Sequence, residues 1–255
     1  MTNKVTLLQD FICTSELRFK FIEKNTPKVG KVLGKWPCIV NFDIKNEFTD
    51  RVKSVYENSF ENLVFENNTN ITWCDWMINK LEEIESPYVM YVIEDVEFFD
   101  IFTHNILNQI LIDMKKFDVQ HLLLGKVQRY MAELKKESRV HSSKDTKLRH
   151  FWFHNATNSP YKYNSFTLSA MFKTELMLNT IKFIKVKEKE KSKLKDTMWM
   201  LDKFEQTGIK RLGETNVSIP NKLYVGVSLE KLPDERSSGK ERKLQKSHEG
   251  RWPEN

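Results

Sequence analysis

The chain has 255 residues, 40% of them hydrophobic, which is enough apolar material for one core of ordinary size. Charged residues make up 30%, with 41 Lys and Arg against 35 Asp and Glu, and the mean hydropathy is -0.55. The longest apolar run, residues 88–93, is too short to span a bilayer. Only 8 glycines occur, none in GxGxxG or GxxxxGKS/T order, which excludes the dinucleotide fingerprint and the phosphate-cradling loop. Cys13, Cys38 and Cys74 are odd in number and widely spaced, so neither a disulfide framework nor a CxxC metal site is expected. A reducing, cytoplasmic setting is expected, since no secretory leader precedes residue 5.

In chain order, residues 5–10 (VTLLQD) read as a strand, and Ser15 as the N-cap of a helix over ELRFKFIEK. Residues 37–43 (PCIVNFD) repeat the scheme, with Thr49 as the cap of DRVKSVYENSF. A third strand, LVFE at residues 63–66, leads to a helix in which Ile71, Met77, Ile78, Leu81 and Ile84 recur at helical spacing. Pro87 stops it. The next run, YVMYVI, has the continuous apolar character of a strand buried on both faces, and it ends in Glu94-Asp95-Val96-Glu97. Strands alternating with helices at this pitch imply a parallel sheet.

Residues 101–117 carry a broad helical stripe, and the pattern then becomes less regular. Strands are expected at residues 120–127, 148–154 and 164–171, helices at 173–181 and 196–206, and a charged loop over residues 182–195 between those helices. Residues 233–255 are polar and offer almost nothing to bury, which reads as a tail.

In an open parallel sheet, ligands bind outside the carboxyl ends of the strands. The first, second and fourth strands here end at Asp10, Asp43 and Glu94-Asp95, which would bring three acidic ends to one crevice. Taken singly, such residues also serve as turn formers and caps. The cluster of Glu94, Asp95 and Glu97 suits a hard divalent cation whose other ligands are diphosphate oxygens and water. Phe11, just past the first strand, could stack on a nucleobase or belong to the core. His150 and His154 lack an HExxH spacing and read as structural.

The order of these elements resembles the GT-A fold glycosyltransferases, in particular the inverting family-two enzymes that use nucleotide-sugar donors. VTLLQD, PCIVNFD and SPYVMYVIEDVEF occupy, in order, the places of that family's nucleotide-contacting first strand, base-reading aspartate and DxD-type motif. NSFTLSAMFKTELMLN looks like its acceptor-side strand and helix, and KDTMWMLDKFEQTGIKRL like its ED-type helix start. The likeness spans residues 5–226.

The resemblance implies a single-domain α/β fold with a mostly parallel, Rossmann-like central sheet flanked by helices. Residues 1–232 would form the GT-A-like domain, with a nucleotide-binding half at 1–100 and an acceptor half at 101–232. It implies that Asp10, Phe11, Asp43 and Glu94 bind the nucleotide sugar, that Asp95 and Glu97 hold Mn²⁺ or Mg²⁺, and that Asp196 is the catalytic base. Which of Glu94, Asp95 and Glu97 hold the metal stays open, because the run departs from DxD. Lys195 stands where an acidic residue often precedes the base, and no QxxRW motif occurs, so single transfer to a glycan or lipid-linked acceptor fits better than processive synthesis. The implied location is cytoplasmic, or peripheral on the cytoplasmic face of a membrane.

Two alternatives remain. A sugar nucleotidyltransferase would also seat a nucleotide on a parallel sheet, but residues 10–14 lack its glycine-rich loop. A basic nucleic-acid-binding protein would suit the net charge of +6 yet leave the acidic strand ends unexplained. No nucleic-acid partner is expected.

Overall fold

Alternation along β1 (Val5–Phe11) sends Val5 and Leu7 into one hydrophobic cluster and Leu8 into another, so this strand needs a helical layer on each face. The computed structural model describes residues 4–11, 13–42, 46–67, 71–92, 96–124, 151–155, 170–191, 216–220 and 224–227. Beside β1 lie β2 (Pro37–Phe42) and β3 (Asn62–Glu66) on one side and β4 (Tyr88–Tyr91) on the other, all parallel. The register sets Asp10 beside Asn41 and Asn41 beside Glu66.

Beyond β4 the sheet continues through β8 (Ala170–Lys173), β6 (His121–Leu123), β9 (Asn216–Pro220) and β7 (Phe151–Asn155), giving the order β3-β2-β1-β4-β8-β6-β9-β7. β8 runs antiparallel to both β4 and β6, and β7 antiparallel to β9. Strand β5 (Val96–Phe98) leaves this sheet and pairs antiparallel with β10 (Val225–Val227). Val96 and Glu97, the second half of the acidic run, therefore belong to a strand of their own.

One face is covered by α1 (Glu16–Leu33), α2 (Thr49–Glu57) and α4 (His104–Lys116), which contribute Phe19, Ile22, Val52, Tyr56, Leu107 and Met114 to the first cluster. The other is covered by α3 (Trp73–Glu83) and α5 (Thr174–Lys191), with Trp73, Trp76, Met77, Met177 and Ile181. The fold is the α/β, Rossmann-like sheet expected from the sequence, flanked by helices. No helix among the described residues is long and apolar enough to cross a membrane.

Ser15 caps α1 as expected, its hydroxyl accepting the Arg18 N–H at 3.3 Å. Thr49 does not cap α2. Its hydroxyl accepts the Asn46 N–H of the preceding turn at 2.9 Å, and Phe48 takes the N-cap position without a side-chain bond. Ile71 is 42% exposed ahead of α3, whose buried stripe keeps the expected Met77 and Leu81 and adds Trp73 and Trp76. The charged stretch after residue 181 is not a loop as far as Lys191. It continues α5, because Lys182 pairs with Glu82 at 2.6 Å and Lys185 with Asp75, both on α3.

Candidate functional site at the carboxyl edge

β1 has β2 and β3 on one side and β4 on the other, so the strand order reverses at β1, the kind of point outside whose carboxyl ends open α/β sheets bind their ligands. Polar side chains interrupt the apolar strands there. Gln9, Asp10 and Asn41 are 4%, 2% and 3% exposed, in strands that are otherwise mostly apolar. A buried polar group is costly unless it is hydrogen-bonded, and these are bonded to one another and to neighbouring backbone. Asn41 Nδ2 donates to Asp10 Oδ1 at 2.8 Å, an amide held against a buried carboxylate across two strands. Glu66, next in the row, accepts from Trp76 Nε1 at 2.8 Å and pairs with Lys80 at 2.7 Å.

On the opposite face of the sheet, Tyr56 OH donates to Gln9 Oε1 at 2.9 Å, and Gln9 Nε2 donates to the Val92 carbonyl at 3.1 Å. The segments that follow β1 and β2 are joined by Asn46, whose Nδ2 donates to the Cys13 carbonyl at 2.7 Å and whose Oδ1 accepts the Phe48 N–H at 2.9 Å. At the entry to α1, Arg51 forms a forked pair with Glu16 at 2.7 and 2.9 Å and lies 3.8 Å from the Phe19 ring centroid. That guanidinium holds the Glu16 carboxyl below its usual range.

Of the residues expected from the sequence, Asp10 stands in this row and Phe11 closes the backbone of β1 beside Phe42. Glu97 lies on β5, where its Oε1 is 2.5 Å from Lys28 Nζ of α1. The side chain of Phe11 and the whole of Asp43, Glu94, Asp95 and Asp196 lie outside the described residues. Carboxylate oxygens of the kind Glu94 and Asp95 offer are what Mg²⁺ and Mn²⁺ take. Among the described residues no three His, Cys, Asp or Glu side chains are grouped to hold a metal. Sequence reasoning missed Gln9, Asn41 and Tyr56. Gln9 and Asn41 had a signal, an amide inside an apolar strand run, whereas Tyr56, on α2, had none.

A second concavity, of about 500 Å³, opens at the opposite edge, where α1 and α2 end and β2 and β3 begin. It is lined by Gly30, Lys31, Lys35, Ser59, Glu61 and His104, among others. Its histidine is already engaged. His104 Nδ1 lies 2.9 Å from the Val32 carbonyl, and its ring is 4.9 Å from that of Trp36.

No family model matches the chain, and no curated protein matches it. Solved structures do. TarS 1-349 of S. aureus in complex with UDP-GlcNAc superposes with a TM-score of 0.53 at 14% identity, covering 92% of this chain and 61% of that one. The longer TarS structure gives 0.53 at 14% identity, covering 89% of this chain and 37% of that one. The chain thus spans about three fifths of TarS 1-349. Identity at this level speaks to architecture alone, and the architecture of this chain is the GT-A-like, Rossmann-type fold that it shares with TarS.

Proposed function

We propose that the chain is a glycosyltransferase that moves a sugar from a nucleotide diphosphate donor to an acceptor hydroxyl, with inversion at the sugar carbon. The observation that carries this reading is the Asp10–Asn41 pair, a buried carboxylate and amide at the carboxyl edge beside the point where the sheet reverses its order. The class of donor comes from TarS, whose structure holds UDP-GlcNAc on the same fold.

In this reading Asp10 and Asp43 orient the nucleoside, Phe11 offers a ring to the base, and Glu94 lies against the nucleotide sugar. Asp196 takes the proton of the acceptor hydroxyl while its oxygen displaces the diphosphate from the opposite face of the sugar carbon. The hydroxyl oxygen gains the glycosidic bond, and the diphosphate leaves with the bonding pair. Mn²⁺ or Mg²⁺, held by Asp95, would supply positive charge against that leaving group. A preorganised site contributes the rest by fixing donor and acceptor in place. The acceptor would be a glycan or a lipid-linked sugar met in the cytoplasm or at its membrane face.

A thermal-shift panel of UDP, GDP, dTDP and CMP, each with and without Mn²⁺, tests the reading, because a ligand that binds only the folded state raises its stability. At least one nucleoside diphosphate is expected to raise the melting temperature, and more so with Mn²⁺. A response to DNA and to none of the nucleotides would contradict it.

A further inference from the structure

We propose that the hollow at the amino edge is a second binding site, built for a small zwitterion of the amino-acid class, whose carboxylate meets the α1 wall and whose ammonium meets the wall opposite. The inference does not rest on the donor reading above, since it concerns the other edge of the sheet.

The walls are fixed mainly by close backbone contacts. The Glu61 N–H donates to the Gly34 carbonyl at 2.8 Å, and Asn62 Nδ2 donates to the Lys35 carbonyl at 3.2 Å, so the end of α1 is joined to the start of β3. Gly30 and Gly34 press against the Ser59 carbonyl oxygen with no room for a Cβ. His104, the first residue of α4, joins them through its bond to the Val32 carbonyl. The hollow between these elements, about 500 Å³, is within the range of sites that take small molecules.

Its charges divide by wall. Lys31 and Lys35 stand on the α1 side, four residues apart, and Glu57 and Glu61 on the side formed by the end of α2 and the turn before β3. All four are exposed. Among the described residues no ion pair crosses the hollow: Glu57 lies 3.6 Å from Lys53 of its own helix, and Lys31, Lys35 and Glu61 take part in no ion pair. Two ammoniums and a carboxylate thus line one concavity without neutralising one another.

The backbone leaves recognition to these side chains. The carbonyls of Gly30, Val32, Leu33, Gly34 and Lys35 each accept a bond already. His104 adds an acceptor, because a carbonyl only accepts, so Nδ1 carries the proton and Nε2 is the ring's acceptor. Donors therefore stand on α1 and acceptors on the other elements. A simple anion is drawn by Lys31 and Lys35 but repelled by Glu57 and Glu61, and a simple cation meets the reverse. A hard divalent cation finds no group of three ligands among the described residues. A molecule carrying both an ammonium and a carboxylate suits both walls and brings in no net charge.

The test is an NMR titration of the nitrogen-15-labelled full chain with L-glutamine, whose side chain adds no charge, and with acetate and methylammonium as the two halves of its zwitterion. L-glutamine is expected to shift the amides of residues 30–35 and 57–61 saturably, with a Kd about tenfold below that of either half. Glu61→Gln and Lys31→Met replace exposed groups that have no ion pair to lose. Each is expected to raise that Kd about fivefold and to leave the melting temperature unchanged. Acetate binding as tightly as L-glutamine would reassign the hollow to anions, methylammonium doing so would reassign it to cations, and either result overturns the inference. So does the absence of a saturable shift, a shift confined to residues 9–15 and 41–48, or an unchanged Kd in both variants.

Discussion

The two edges of the parallel strands are built on different principles. At the amino edge the backbone itself does the packing. A Cβ on Gly30 would lie 2.6 Å from the Ser59 carbonyl oxygen, and one on Gly34 would lie 2.7 Å from the same oxygen, so both positions need glycine for the close approach of α1 to the end of α2. At the carboxyl edge, side-chain amides and a carboxylate are buried instead, as in Asn41 to Asp10 and Gln9 to Val92. Among the described residues a hollow of about 500 Å³ lies at the first edge and the buried polar side chains lie at the second. In the proposed reading the nucleotide is met not at that hollow but at the desolvated polar row, where apolar residues could have stood instead.

The strongest way to break this contrast is Asp196→Asn, which keeps the shape of the residue and removes its basicity. The transfer rate is expected to fall roughly 10²- to 10⁴-fold with donor affinity unchanged, read by steady-state kinetics and calorimetry. A wild-type rate, or a product retaining the donor's anomeric configuration, contradicts the inverting assignment.

Next is a matched pair of stability variants. Asn41→Leu removes a charge-assisted bond to the buried Asp10 and is expected to cost about 1.5–3 kcal/mol in urea unfolding, with weaker nucleotide binding. Gly34→Ala forces a methyl group against backbone and is expected to cost about 1–3 kcal/mol, with nucleotide binding unaltered. Equal effects of the two on binding would erase the distinction between the edges.

The smallest effect is on alkaline stability. Tyr88 begins β4 at the amino edge, and burial, reinforced by Asp118, pushes its phenol from 10.0 up to about 12. Between those values the unfolded chain has lost the proton and the folded chain keeps it, so stability falls as pH rises through that window. Urea midpoints measured across that range should decline less steeply for Tyr88→Phe than for the wild type.

Much of the first half was legible because each element carries its own signal. VTLLQD and PCIVNFD are largely apolar runs that close on an aspartate, and Ser15 announces α1 at the place where it begins. The reversed insertion of β8 between β4 and β6 was not legible, since its direction is set by pairing with distant strands rather than by any local period. The same holds for β5 and β10, three-residue strands that, among the described residues, pair only with each other. Within the site, Asp10 stood out as an acidic strand end, but its partner Asn41 is fixed by lateral register, which no single strand encodes. Gln9 read as the polar close of a strand, and only the divergence of β4 shows what its amide is for.

The central claim is that the nucleotide seats at the carboxyl edge, and hydrogen-exchange footprinting of the intact chain with and without the tightest-binding nucleoside diphosphate tests it most directly. Slowed exchange is expected around residues 9–15, 41–48 and 91–97, with residues 30–35 and 57–61 unaffected. Protection confined to residues 30–35 and 57–61 would place the ligand in the hollow between Gly30, Ser59 and His104 and contradict the account.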